Sequence, residues 1–268
     1  MRATLLTSTF RRHVFVANTI GARCDLVGVW QEEKSFRPER YATNADDEVV
    51  IQRHFANRDE SEAAYFSAHD TVHAGIGAAH RVVSVGGCND PSEVAQMAAL
   101  QTDVVLVFGT GILREPLLSA FEGRIINIHL GLSPYYRGAG ANFWPLVNRE
   151  PEYVGATIHY LDAGIDTGPM LAHARPDITR GDGPHDIGNK TIVAAVDALL
   201  VAAASHVGGT ARPVPQWSAG RLYQRKDFSA DAVRRLHHQF ETGMIDEYLA
   251  SRGSRDAALR LVEPERVA

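Results

Sequence analysis

The sequence predicts an α/β fold in which helices flank a Rossmann-like, mostly parallel sheet, followed by a short and mainly helical C-terminal extension. Short β-rich runs alternate with helical patterns, and glycine turns follow two of these runs, as at the ligand-facing strand ends of open α/β sheets. The 268 residues, 45% hydrophobic and 22% charged, suffice for a sizeable core. We expect a main domain over residues 1–206 and the extension over residues 207–268.

The predicted elements follow one another along the chain. Strands are expected at 3–6, 26–30, 81–85, 103–108, 124–129, 154–160 and 170–174. Helices are expected at 11–21, from Pro91 onward, and at 184–206, 230–240 and 244–251. We interpret the runs at 81–85 and 103–108 as buried strands.

An acidic segment at residues 31–62 interrupts this alternation. It contains nine acidic and five basic residues. Such a charge excess favours a solvated loop region, with at most one short strand at 49–51. The extension contains a basic patch at residues 224–226.

The composition argues against several classes of protein. A formal charge of -5 is unusual for a protein that binds nucleic acid mainly through phosphates. Cys24 and Cys88 are the only cysteines, and no CxxC or HExxH motif is present, so we expect no metal site. No run of eighteen apolar residues or signal peptide is recognised. Neither glycine turn has a dinucleotide-binding fingerprint. We therefore expect a cytoplasmic protein without a membrane or nucleic-acid partner.

Three polar residues suggest acyl-transfer chemistry. Asn127 and His129 are two residues apart at the end of a predicted strand, so their side chains leave the same face. An amide and an imidazole can both stabilise an oxyanion, and the imidazole can also move a proton. Asp166, between Gly164 and Gly168, is the third candidate, and Asp162 competes with it. Residues of these types also serve as turn and capping residues at strand ends.

The segment from residue 125 to 171 resembles the folate-dependent formyltransferase family, which includes glycinamide ribonucleotide transformylase, methionyl-tRNA formyltransferase and the sugar N-formyltransferases. The resemblance rests on Asn127-Ile128-His129, on the turn at 133–138 and on Ile165-Asp166-Thr167-Gly168. It implies that residues 1–206 form a formyltransferase catalytic domain. It also implies that an amine attacks 10-formyltetrahydrofolate, with Asn127 and protonated His129 stabilising the oxyanion and Asp166 holding His129 in its charged form.

The resemblance also implies two binding regions. The folate is expected to lie between two segments, mostly on backbone groups. The residues implied are Phe108, Gly109, Gly111, Ile112, Leu113, Leu161, Asp162, Gly164 and Ile165. The run at 137–144 resembles that of sugar N-formyltransferases, so the acceptor is expected to contact Tyr135, Arg137, Asn142 and Trp144.

The expected acceptor is the amine of a nucleotide-linked amino sugar. A small natural-product amine such as hydroxyornithine is an alternative, as are hydrolysis of 10-formyltetrahydrofolate and a non-catalytic folate or nucleotide-sugar binding protein. A tRNA acceptor is disfavoured, because the extension does not resemble the C-terminal β-barrel of that branch. The turn at 7–13 departs from the glycine-rich opening common in the family. The helices of the extension are candidates for a homodimer contact.

Overall fold

The computed structural model describes residues 1–35, 37–73, 75–76, 79–162, 164 and 166–264. Within these residues, the strands are Arg2–Ser8 (β1), Asp25–Glu32 (β2), Ala79–Val83 (β3), Val104–Phe108 (β4), Ile125–His129 (β5), Tyr136–Gly138 (β6), Ala156–Tyr160 (β7), Met170–Ala174 (β8) and Arg221–Tyr223 (β9). The α-helices are Arg11–Gly21 (α1), Ala45–Tyr65 (α2), Pro91–Ala99 (α3), Leu117–Ala120 (α4), Phe143–Val147 (α5), Pro184–Val207 (α6), Ala230–Glu241 (α7) and Met244–Ala257 (α8).

The main sheet has the strand order β3-β2-β1-β4-β5-β7-β8. In this order, the first five strands, from β3 through β2, β1 and β4 to β5, pair in parallel. Strand β7 pairs antiparallel with β5, and β8 pairs antiparallel with β7. The predicted mostly parallel, helix-flanked sheet is therefore confirmed. Since parallel strands end at the same edge, the turns after β1, β2, β4 and β5 meet there, at the place where open α/β sheets bind ligands.

Two apolar layers bury the sheet. One face packs on α1 and α6, in a core that includes Leu5, Val16 and Leu199. The other face packs on α3 and α4 through Met97 and Leu117. Both faces of β4 are buried, which explains its uninterrupted apolar sequence.

Helix α6 is long and apolar enough, by length and composition, to cross a membrane. In the structure, 61% of its most apolar window is buried. The helix contacts β5, β7 and β8. Its apolar surface therefore contributes to the core, and such a buried helix is weak evidence for a membrane span.

The expectation of a buried strand at 81–85 is wrong. The strand is β3, which begins two residues earlier and lies at the edge of the sheet. His80, Arg81 and Val82 are exposed there, and Arg81 forms an ion pair with Glu93 on α3. An edge strand needs only a partly apolar sequence, because neither face is fully covered.

The expectation of a loop at 31–62 is also wrong, because most of the segment forms α2. The Asn44 side chain accepts a hydrogen bond from the backbone N–H of Asp47 and caps this helix. Three acidic residues follow in its first turn, where they interact favourably with the helix dipole. The buried positions of α2 are Asp47, Ile51, His54 and Glu62, so three of the four are polar.

The chain beyond α6 packs onto the region that follows β5. Strand β9 pairs with β6, and α7 contacts both α2 and α5. A second core forms here, in which Tyr136, Trp144 and Ile187 meet Leu236 and Tyr248. The predicted helices of the extension are present as α7 and α8, and they support the segment next to the ligand edge of the sheet.

Candidate active site

A cleft of about 580 Å³ opens at the ends of β1, β4 and β5. Its volume lies within the range of small-molecule sites, roughly 300–1,000 Å³. Asn127, His129 and Asp166 all line this cleft. The structure therefore brings the three candidate catalytic residues to one surface.

His129 and Asp166 form a direct pair. His129 Nδ1 lies 3.3 Å from Asp166 Oδ2. The two residues come from the end of β5 and from the loop between β7 and β8. Asp166 has a φ of 51°, a left-handed conformation that is uncommon outside glycine. Asp162 does not reach His129, because its carboxylate accepts hydrogen bonds from Gly164 N and Thr167 Oγ1 within its own loop.

His159 is a site residue that the sequence analysis did not identify. It lies opposite Asn127 in the antiparallel pairing of β7 with β5. Its Nδ1 donates to the Tyr160 carbonyl over 2.8 Å, so in the neutral ring Nε2 is an acceptor. Asn127 Nδ2 donates to that Nε2 over 3.0 Å. The hydrogen bond fixes the orientation of the Asn127 amide and leaves its second N–H available to a ligand.

The electrostatics of the site are dominated by burial. Burial lowers the pKa of His129, the Asp166 carboxylate opposes this shift, and the charge of Arg137 adds to it. Burial also lowers the pKa of His159, and the neighbouring His129 reinforces this. His129 Nε2 is buried and has no hydrogen-bond partner within the described residues. Because Asp166 faces Nδ1, Nε2 is the nitrogen that remains for a reacting group.

The loop that carries Asp166 is tightly held. A Cβ at Gly168 would lie 1.8 Å from the Tyr160 carbonyl oxygen, so this position requires glycine. Gln216 Nε2 donates to the Asp166 carbonyl over 2.6 Å. The sequence offered no signal for Gln216, because the contact joins segments 50 residues apart.

The residues expected to bind the folate occupy both sides of Asn127. The cleft lining contains Phe108, Gly109, Gly111, Ile112, Leu113, Leu161, Asp162 and Gly164. The expected contact Ile165 lies outside the described residues. The segment at 108–113 follows β4, and the segment at 161–164 follows β7. These two strands flank β5, so a planar ring between them would face Asn127.

Of the four residues expected to bind the acceptor, the structure brings only Asn142 to the cleft. The Tyr135 hydroxyl accepts from Arg260 N over 2.8 Å, and Arg137 Nη1 donates to the Ala219 carbonyl over 3.1 Å. The Trp144 ring stacks on Tyr223 with a centroid separation of 4.3 Å. These three side chains join the cleft wall to the chain beyond α6.

The cleft also contains residues that the sequence interpretation did not assign to it. It is also lined by Arg12 and His13 on α1, by Lys34 after β2 and by Arg225 after β9. Arg12 and Lys34 follow the ends of β1 and β2, and this position in the sequence could have indicated that they lie at the ligand edge of the sheet. Only the basic patch pointed to Arg225. Across the described residues, no group of three or more His, Cys, Asp or Glu side chains is placed to hold a metal ion.

The sequence of the chain is similar to those of known formyltransferases. A family model described as formyl transferase matches residues 30–203. A methionyl-tRNA formyltransferase from Synechococcus sp. (strain JA-3-3Ab) is 29% identical over 184 residues, which cover 66% of this chain and 57% of that protein. The chain spans about half the length of the curated relatives it matches, since the share ranges from 46% to 58% in the first four.

Solved structures share the fold. A sugar N-formyltransferase from Shewanella sp. FDAARGOS_354 superposes with a TM-score of 0.54 at 19% identity, over 85% of this chain and 78% of that chain. A sugar 3-N-formyl transferase, determined in the presence of dTDP and 5-N-formyl-tetrahydrofolate, superposes with a TM-score of 0.53 at 16% identity, over 85% and 72% of the two chains. At these identities the likeness concerns the fold alone.

Proposed function

The chain belongs to the formyl transferase family, and from this premise we propose that it moves a formyl group from 10-formyltetrahydrofolate to the amine of a small molecule. The observation that carries the proposal is the meeting of Asn127, His129 and Asp166 in one cleft. A protein that only bound a folate would have no chemical need for this arrangement. The apolar and glycine-rich segments beside Asn127 fit a flat ring, which supports the folate as formyl donor.

The residues can divide the chemistry between them. When bound, the folate supplies the formyl group that the amine attacks. The free N–H of Asn127 donates to the formyl oxygen as negative charge develops there. His129 Nε2 takes the proton that the amine releases, and the resulting imidazolium passes it to the departing nitrogen. Asp166, at Nδ1, stabilises the charged ring during this transfer.

This division refines the role expected for His129. The resemblance implied a histidine that is protonated from the start, whereas burial lowers its pKa in the free cleft. A neutral imidazole can accept the proton of the amine, and it becomes charged only during the reaction. Asp166 and the developing oxyanion then both favour the charged form.

We further propose a nucleotide-linked amino sugar as the acceptor. Two solved structures that share this fold are of transferases that formylate sugars, and one was determined in the presence of dTDP. The sequence similarity to a methionyl-tRNA formyltransferase favours a second candidate, methionyl-tRNA. The two acceptors differ in size and chemistry, so activity measurements distinguish them.

The test is release of tetrahydrofolate from 10-formyltetrahydrofolate, followed by absorbance. Reactions contain UDP- or dTDP-linked amino sugars, free amino sugars, hydroxyornithine, methionyl-tRNA or no amine. We expect release that depends on a nucleotide-linked amino sugar, gives a formylated product by mass spectrometry and is lost in Asn127→Ala. Equal release without an amine would indicate a hydrolase. Release only with methionyl-tRNA would select the second candidate. No release despite folate binding would overturn the transferase assignment.

A further inference from the structure

Positive charge is concentrated at the end of the cleft near β1 and β2. Arg12, Lys34 and Arg225 line this end and come from three separate segments of the chain. Among the described lining residues, the only carboxylates are Asp162 and Asp166. Both belong to the loop after β7, which is separated from β1 in the sheet by β4 and β5. The cleft therefore has a cationic end and a catalytic end.

The cations at this end are not fully neutralised by the protein. In the described part of the chain, no carboxylate lies within ion-pair distance of Lys34 or Arg225, and Arg12 binds Glu62 through Nη1 alone. Partial enclosure lowers the pKa of Lys34, and the nearby charges of Arg12 and Arg225 lower it further, against the opposing effect of Glu32. Holding three cations together costs free energy, which a bound anion would recover.

His13 adds a neutral hydrogen-bond acceptor beside these charges. Thr7 Oγ1 donates its hydrogen to the Phe108 carbonyl over 2.9 Å, so it accepts from His13 Nδ1 over 2.9 Å. His13 Nε2 then carries a lone pair, and this atom is buried without a partner in the described residues. Burial lowers the pKa of His13 well below its ordinary value, which keeps the ring neutral. A hydroxyl group of a ligand is a suitable donor to Nε2.

We infer that Arg12, Lys34 and Arg225 form a subsite for a phosphate or diphosphate group of the acceptor, with His13 accepting a hydrogen bond from a neighbouring hydroxyl. This inference rests on the proposed function, because it specifies the acceptor of that reaction. Guanidinium groups match phosphate oxygens with paired donors, and the Lys34 ammonium supplies a point charge. None of the three cations belongs to the segments expected to bind the folate, which follow β4 and β7, so the cations remain for the acceptor.

The test is calorimetric titration of the protein, without folate, with UDP, dTDP and inorganic pyrophosphate. We expect the unmodified protein to bind these probes, and Lys34→Ala and Arg225→Ala each to raise the Kd at least about tenfold, as for loss of a charge-assisted hydrogen bond. Lys226→Ala is the matched control. It removes the same charge one position away from Arg225, outside the cleft lining, and should leave the Kd unchanged.

Separate measurements keep this inference distinct from the proposed function. Tetrahydrofolate affinity should be the same in the unmodified protein and in both cleft variants. The inference is overturned if none of the three probes binds at low salt, if Lys226→Ala weakens binding equally, or if the cleft variants weaken tetrahydrofolate instead. It is also overturned if Lys34 and Arg225 affect only the binding of methionyl-tRNA. Diphosphate binding without amine-dependent turnover would contradict the proposed function alone.

Discussion

At the scale of single residues, the candidate site depends on hydrogen bonds that determine which atoms face the ligand. Asn127, His129 and Asp166 could be proposed from sequence, because residue type and spacing carry their signal. His159 could not, because its role depends on the pairing of β5 with β7 across 32 residues. The same limit applies to Tyr135, Arg137 and Trp144, whose partners lie far along the chain.

Replacing His159 should disturb catalysis without removing a reacting group. In His159→Leu, the Asn127 amide loses the acceptor that orients it, and kcat should fall about tenfold to a hundredfold while the Kd for tetrahydrofolate stays unchanged. His159→Gln retains an acceptor and should recover part of the activity. Equal loss in both variants, or a change in Kd alone, would contradict a positioning role.

Replacing Asp166 should change both the rate and its pH dependence. Asp166 raises the pKa of His129 against the effect of burial, so Asp166→Asn should lower that pKa further. Since His129 acts from its neutral form, the acid limb of the kcat/KM profile should move to lower pH. The plateau should fall about a hundredfold or more, because the imidazolium loses its stabilising charge. A limb that moves to higher pH would contradict this assignment.

At the scale of elements, α2 shows where a composition argument fails. The excess of acidic residues predicted a loop, yet the acids lie at the helix start and on positions with protein partners. Asp47 forms an ion pair with Arg234 on α7, and Glu62 pairs with Arg12 on α1. A helix whose buried face is polar has little hydrophobic periodicity, so its pattern resembles that of a solvated segment.

The start of α2 offers a test of this explanation. Asn44→Ala removes the side-chain oxygen that accepts from Asp47 N, and the free energy of unfolding should fall by about 1 kcal/mol. For a chain of this size that corresponds to a decrease in Tm of about 2–4 °C, measurable by calorimetry. Asn44→Ser preserves a capping oxygen and is the control. If both variants melt like the unmodified protein, the cap does not stabilise the helix.

At the scale of the whole molecule, stability depends on buried neutral histidines. His173 Nε2 donates to the Ser133 carbonyl over 2.8 Å, and its Nδ1 accepts from Val262 N over 3.0 Å. Burial lowers the pKa of His173 to about 4, against the opposing effect of the Ser133 carbonyl. Contacts such as these, between β8 and the segment after α8, could not be predicted from sequence because no local pattern marks them.

This arrangement predicts a loss of stability in acid. The unfolded chain protonates His173 near pH 6.5, whereas the folded protein does so only near pH 4. The contribution of this group to the free energy of unfolding is therefore fully present above pH 6.5 and is lost as the pH falls towards 4. Between pH 7 and 5 this group alone should cost about 2 kcal/mol. Urea unfolding at both pH values measures the loss, which should shrink in His173→Gln. His238→Gln, on an exposed side chain, should keep the full dependence on pH.

The pairing of β6 with β9 has a consequence for the order of events during synthesis. The segment at 133–143 contributes to one wall of the cleft, and its partners in β9, α7 and the backbone of Arg260 are all synthesised later. At about 5–20 residues per second, the 118 residues that follow Asn142 up to Arg260 take roughly 6–24 s to be made. During that interval Tyr136 and Trp144 lack their apolar covering. We therefore expect the nascent chain to expose these apolar side chains, and to be a substrate for chaperones, until α7 and α8 have been synthesised.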